Sequence, residues 1–135
     1  MRKLVAAALL FGLGACSMGA DLPIADQAVT RFHKMLDAGQ NAQIYRESAQ
    51  EMKNAGPEAK LDAFLSAIHR KLGTVTKATR QGFNDQMNTG GHYTTMTYAT
   101  TYTRGEATET FVYKISDGKA ALVGYNINSD ALIIN

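Results

Sequence analysis

The sequence predicts an α+β domain in which three N-terminal helices precede an antiparallel sheet of about four strands in meander order. Apolar residues recur at steps of three and four between residues 24 and 72, which is the period of amphipathic helices. Three runs rich in Thr, Tyr, Val and Phe then follow between residues 92 and 127. Asp117-Gly118 separates the last two runs, and an Asp-Gly pair between alternating strands favours a tight hairpin.

The helices are predicted over residues 24–37, 42–53 and 57–72. Gly39 follows the first as a C′ residue, and Gly73 follows the third as its stop. The inward face of the third helix is predicted to comprise Leu61, Phe64, Leu65, Ile68 and Leu72.

The strands are predicted over residues 75–83, 92–103, 107–115 and 119–127, the first of them with a weak alternation. In the third strand, one face is aromatic and predicted to point inward; it carries Glu109, Phe111, Tyr113 and Ile115. In the fourth strand, a single alternation places four residues on one face; these are Ala121, Val123, Tyr125 and Ile127. Gly124 is a position at which such a strand can bend.

The N-terminus has the layout of a bacterial signal peptide. Arg2 and Lys3 precede an apolar run over residues 4–13, which is shorter than the roughly 20 residues that span a bilayer. Leu13-Gly14-Ala15-Cys16 then resembles the lipobox of bacterial lipoproteins. The predicted organisation is a signal peptide over residues 1–15, a lipidated Cys16 with a short tether over 16–23, and a single domain over 24–135.

The lipobox resemblance implies cleavage before Cys16 and a diacylglyceryl group on its sulfur, with a third acyl chain in many bacteria. Two or three acyl chains would anchor the protein stably to a membrane. By the sorting rule of enterobacterial lipoproteins, Ser17 in place of Asp implies the outer membrane, facing the periplasm. The alternative is an ordinary secretory signal, with Cys16 left in the mature chain or cut away.

Charge and cysteine content narrow the function classes. The chain has 14 Lys and Arg against 12 Asp and Glu, and removal of Arg2 and Lys3 leaves a formally neutral domain. A neutral domain without basic clusters argues against nucleic acid as a partner. Cys16 is the only cysteine, so a disulfide framework is excluded.

Four short segments resemble the small bacterial envelope proteins of domain-of-unknown-function family 4019, over about residues 28–127. They are Leu36-Asp37-Ala38-Gly39, His69-Arg70-Lys71-Leu72-Gly73, Ala107-Thr108-Glu109-Thr110-Phe111 and Gly124-Tyr125-Asn126-Ile127. The resemblance implies a curved-sheet α+β domain akin to nuclear-transport-factor-like or cystatin-like folds, and no established activity. Ala120 departs from the family pattern, because members often carry Trp there.

No catalytic or cofactor motif accompanies this fold. His33, His69 and His92 are not in a metal-ligand spacing, and the chain lacks a nucleophile elbow, a phosphate loop and a dinucleotide fingerprint. We therefore expect no metal, no cofactor and no assigned catalytic residue.

Glu109 is the residue of greatest chemical interest. An ionised carboxylate on the inward face is costly unless it is paired or hydrogen-bonded. A candidate ligand pocket would combine Glu109 with Tyr98, Tyr113 and Tyr125. In the structural alternative, Glu109 accepts tyrosine hydroxyls or pairs with a basic residue, the choices being Arg104, Arg70 and Lys71.

Two functions remain open at this point. The first is a non-enzymatic, lipid-anchored domain that binds an envelope protein or a small ligand. The second is a cavity enzyme of the isomerase or hydrolase type that uses Glu109 with the sheet tyrosines; it requires an enclosed pocket between helices and sheet.

Overall fold

The computed structural model describes residues 20–134. Four helices precede the sheet and a short one follows it. The helices are α1 (Leu22–Asp37), α2 (Asn41–Glu47), α3 (Gln50–Ala55), α4 (Glu58–Leu72) and α5 (Asp130–Ile134). The strands are β1 (Val75–Asn88), β2 (Gly91–Tyr102), β3 (Gly105–Ser116) and β4 (Lys119–Asn128). The predicted α+β class is confirmed, whereas the predicted count of three helices is wrong.

The sheet is an antiparallel meander in the order β1-β2-β3-β4, as predicted. Asp117 and Gly118 connect β3 to β4, with φ angles of 52° and 70°. Both values lie in the left-handed region, which a two-residue hairpin turn requires and which Asp and Gly tolerate. The hairpin prediction is therefore confirmed.

The inward face of β3 also agrees with the sequence. Its buried residues alternate along the strand and comprise Ala107, Glu109, Phe111, Tyr113 and Ile115. On β2 the same face buries Thr94, Met96, Tyr98, Thr100 and Tyr102. The period-two alternation of the sequence predicts the inward face of β3 correctly, because helices cover one face of the sheet and not the other.

The fourth strand departs from a single alternation. Val112 pairs with Gly124, but Tyr113 pairs with Leu122, so Val123 is an extra residue in a β-bulge. The bulge reverses the facing of the residues before it, and Leu122 is buried instead of Ala121 or Val123. Tyr125 and Ile127, which follow the bulge, pack against the core.

The first strand extends to Asn88, five residues beyond its predicted end. It pairs with β2 over this length, with irregularities between Val75 and Lys77 and between Arg80 and Gly82. Most of its side chains are exposed, so the strand needs no hydrophobic alternation. That is why the sequence signal was weak.

The predicted helix over residues 42–53 is two helices, because the chain is extended at Ser48 and Ala49. The Ser48 hydroxyl donates to the Ile44 carbonyl oxygen at 2.7 Å and caps α2. The Ala49 N–H then donates to the Leu122 carbonyl oxygen of β4 at 2.9 Å. The Ala49 N–H thus bonds to the sheet instead of to a carbonyl oxygen of the preceding helical turn, and the helix is interrupted there.

The α1 and α4 helices differ from their predictions only at the ends, whereas α5 is not predicted. The α1 helix begins at Leu22, inside the predicted tether, and Gly39 follows it with a φ of 70°. Phe64 of α4 is 42% exposed, although it was predicted to be buried. The core lies between α1, α4 and the inward face of the sheet; its fully buried apolar members include Ala25, Leu36, Leu65, Leu72, Met96 and Phe111.

The β2–β3 turn covers the C-terminal end of α4. Gly73 has a φ of 81°, and the N–H of Arg104 donates to the Leu72 carbonyl oxygen at 2.9 Å. The Arg104 guanidinium donates to the Lys71 and Arg70 carbonyl oxygens at 3.2 and 2.5 Å. Carbonyl groups without partners inside the helix are satisfied in this way.

We predict that Gly73→Ala destabilises the domain by about 2–4 kcal/mol, because the backbone conformation disfavours a side chain and the site is crowded. A Cβ at this position would lie 1.9 Å from the Thr103 Oγ1. Gly82→Ala is the matched control, since a Cβ there meets no atom within 4 Å. Urea denaturation of both variants checks this; equal midpoints would contradict it.

Candidate functional site

Glu109 lies in the middle of β3 with its side chain fully buried. It pairs with Tyr98 of β2 and with Ile127 of β4 across the sheet. The predicted inward orientation of this carboxylate is therefore correct. A carboxylate with no exposure to water needs partners from the protein.

Both carboxylate oxygens have such partners. Glu109 Oε1 lies 2.8 Å from the Nε2 of His33, which comes from α1. Glu109 Oε2 accepts the hydroxyl of Tyr102 at 2.9 Å and that of Tyr125 at 2.5 Å. One helix and all three strands β2, β3 and β4 thus meet at a single acidic side chain. We call His33, Tyr102, Glu109 and Tyr125 the Glu109 cluster.

The cluster holds Glu109 in its ionised form. Burial alone would raise the pKa of this carboxyl, but the hydrogen bond and charge of His33, with hydroxyl hydrogen bonds that include Tyr125, lower the pKa below 4.5. An ionised carboxylate can only accept hydrogen bonds, so the Nε2 of His33 carries a proton and donates it. Burial and the Glu109 charge raise the pKa of Tyr102 and Tyr125, which keeps both hydroxyls protonated as donors.

Aromatic rings pack against the cluster. Phe111 is fully buried at their centre, and its ring centroid lies 5.1 Å from those of Phe32 and Tyr125. The His33 ring meets Phe111 edge-on at 5.7 Å. These rings fix the orientation of the imidazole and of the Tyr125 hydroxyl by packing.

The four residues of the predicted pocket do not converge on one space. Tyr125 reaches Glu109, but the Tyr98 hydroxyl donates instead to Asp26 of α1, which also pairs with Arg80. Tyr113 stacks on Phe111 at 6.1 Å, and its hydroxyl has no hydrogen-bond partner among residues 20–134. Burial raises the pKa of both Tyr98 and Tyr113.

The sequence offered two kinds of structural partner for Glu109. The prediction of tyrosine hydroxyls is confirmed, and the prediction of a Lys or Arg partner is wrong. Arg104 donates to the end of α4, as described above, and Lys71 donates to the Leu132 carbonyl oxygen of α5 at 2.7 Å. The predicted basic partner is replaced by His33.

Sequence reasoning missed two members of the cluster. His33 lies four residues after Val29 and three before Leu36, so it falls on the apolar stripe of α1. A histidine within such a stripe is the signal that could have identified it. The contact of Tyr102 with Glu109 depends on the register between β2 and β3, which no local pattern predicts.

Four depressions of the described surface lie elsewhere. One of about 310 Å³ is lined by ends of β2, β3 and β4 with Asp130, and one of about 470 Å³ by α1 residues with Gln40. Others of about 190 and 50 Å³ lie beside Phe64 and beside Ala120 with Tyr113. Glu109 lines none of these four. Within residues 20–134 there is also no group of three His, Cys, Asp or Glu side chains that could hold a metal ion.

We predict that acid unfolds the domain partly through Glu109. A carboxyl whose folded pKa is lowered stabilises the fold above its unfolded pKa, and that stability is lost as the pH falls through the folded value. The free energy of unfolding should therefore decrease below about pH 4.5. Glu109→Gln, which cannot titrate, should show a smaller decrease, whereas Glu106→Gln on the exposed side of β3 should retain the wild-type slope.

At neutral pH, we predict that Glu109→Gln lowers the free energy of unfolding by about 1–3 kcal/mol, because a charged acceptor is lost while the shape is kept. Glu106→Gln should stay within about 0.5 kcal/mol of wild type, as surface substitutions usually do. Chemical denaturation measures both. Unchanged or raised stability of Glu109→Gln would instead indicate a group retained for binding at the expense of the fold.

The family comparison agrees with the resemblance of the sequence segments. The family model described as "Protein of unknown function (DUF4019)" matches residues 28–125, which include all four members of the Glu109 cluster. No curated protein matches the chain. Since the family model covers well over half of its length, this chain belongs to the DUF4019 family.

Proposed function

We propose that the protein is a lipid-anchored domain of the bacterial outer membrane that faces the periplasm and binds a component of the envelope without catalysing a reaction. The anchor rests on the sequence Leu13-Gly14-Ala15-Cys16 behind a short apolar run. Cys16 lies outside the described residues. None of the helices described between residues 20 and 134 could cross a membrane.

One observation carries the proposal of binding over catalysis: the partners of Glu109 all belong to the protein. His33 occupies one oxygen, and two tyrosine hydroxyls occupy the other. A general acid or base must come within hydrogen-bond distance of the substrate proton. Glu109 has no exposed surface at which a substrate could replace one of these partners.

The cavity enzyme is supported less well. It needs a pocket of several hundred Å³ into which the polar groups converge. The two larger depressions are open and lined away from the Glu109 cluster. For Glu109 to meet a substrate, α1 would have to separate from the sheet, since His33 and Phe32 lie between that helix and β3.

We predict that Cys16→Ser moves the protein from the membrane fraction to the soluble fraction, or leaves it unprocessed, because serine cannot receive the diacylglyceryl group. Mass spectrometry of the wild-type N-terminus should show an acylated Cys16. An unmodified mature N-terminus with a free Cys16 thiol would refute the anchor.

Ser17→Asp is the matched control for location. It keeps Cys16 and the preceding residues, so acylation should persist. By the sorting rule stated above, the variant should accumulate in the inner membrane. Separation of the two membranes by density measures this shift, and an unchanged distribution would contradict the outer-membrane assignment.

A further inference from the structure

We propose that the end of the sheet formed by the β1–β2 hairpin rests on the lipid surface of the membrane, with Met87 inserted among the headgroups. This inference rests on the proposed anchor at Cys16. It specifies which surface of the domain faces the bilayer and identifies lipid as a partner of the folded domain.

The start of α1 fixes this geometry. Asp21, which immediately precedes α1, places its carboxylate 3.0 Å from the Nδ1 of His92 at the start of β2. Cys16 is five residues before Asp21, and five extended residues span at most about 18 Å. The acylated residue therefore lies within about 18 Å of Asp21, which itself contacts the His92 end of the sheet.

Met87 lies directly beside that point. It pairs with His92 across the β1–β2 ladder, and 76% of its surface is exposed. Phe83, four residues earlier on the same strand face, is 44% exposed. Phe83 and Met87 are thus exposed apolar side chains on one face of β1, with Asp85 between them, at the end of the domain where the anchoring segment enters.

The polar groups at this end do not oppose contact with lipid. Asp85 lies between Phe83 and Met87 and accepts the Thr94 hydroxyl at 2.6 Å, while the Nε2 of His92 lies 3.6 Å from its carboxylate. The turn itself, residues 88–91, reads Asn-Thr-Gly-Gly and carries no charged side chain. An uncharged turn that follows an exposed Met87 is compatible with the interfacial layer of a bilayer.

Because the acyl chains already hold the protein on the membrane, the contact of Met87 with lipid can be weak. A single methionine and a half-exposed phenylalanine bury too little apolar area to hold a free protein on a membrane. The acyl chains, however, have already confined the domain to the surface, so the local concentration of lipid around Met87 is high.

Lys77 is the matched control position because it lies on the same strand at the opposite end, paired with Thr101. Ten residues of extended strand separate it from Met87, which corresponds to about 33 Å. It is also exposed, so a label there perturbs the fold no more than one at Met87.

The experiment uses the lipidated full chain in vesicles of phosphatidylethanolamine and phosphatidylglycerol. Acylation consumes the thiol of Cys16, so Met87→Cys and Lys77→Cys each provide one thiol for an environment-sensitive fluorophore. The label at position 87 should emit at shorter wavelength than the label at position 77, because only the former contacts lipid, and lipids brominated on the acyl chains should quench it. The label at position 77 should keep its emission.

The failures of the two proposals are distinguishable. If both variants float with the vesicles but position 87 is quenched no more than position 77, the anchor stands and the contact of the hairpin with lipid is refuted. Strong quenching at both positions would refute the proposed orientation, since β1 would then lie flat on the membrane. If the protein does not float, the anchor fails, and the contact that depends on it fails too.

Discussion

Burial of the Glu109 carboxylate is the constraint on which the rest of the structure depends. An unpaired carboxylate in an apolar core costs several kcal/mol, so the fold is stable only when its partners are in place. Those partners come from α1, β2 and β4, while the carboxylate itself belongs to β3. A shift of the helix or a slip of either neighbouring strand would break at least one of these hydrogen bonds. The cluster therefore selects one packing of helix on sheet from the many that an apolar core alone would tolerate.

The bulge in β4 follows from the same demand. Leu122 must face inward to fill the core beneath α1, and Tyr125 must face inward to reach Glu109. The two residues are three positions apart, so a regular strand would direct one of them outward. The extra residue Val123 resolves this conflict. The Leu122 carbonyl oxygen also accepts the Ala49 N–H, so the break between α2 and α3 is fixed to the same stretch of β4.

The interior and the surface of this domain consequently have different roles. The most perturbed titratable groups lie in the core, where their partners are other residues of the chain. Perturbed groups often mark functional sites, but structural networks perturb pKa values as well. Here the network connects secondary-structure elements, and the Glu109 carboxylate at its centre is fully buried. On the surface, the β1–β2 hairpin carries exposed apolar side chains at the end of the sheet where Asp21 contacts His92.

The sequence by itself determined the α+β class, the meander, the Asp117-Gly118 turn and the inward orientation of Glu109, because these depend on local periodicity and turn chemistry. It also determined the apolar stripe of α1, in which His33 could have been recognised. Only the tertiary structure decided the split at Ser48, the bulge at Val123 and the extension of β1. Each of these depends on hydrogen bonds to a neighbouring element, which no local pattern encodes. The contact between His33 and Glu109 joins residues 76 positions apart, and their distance is set by the packing of α1 on the sheet.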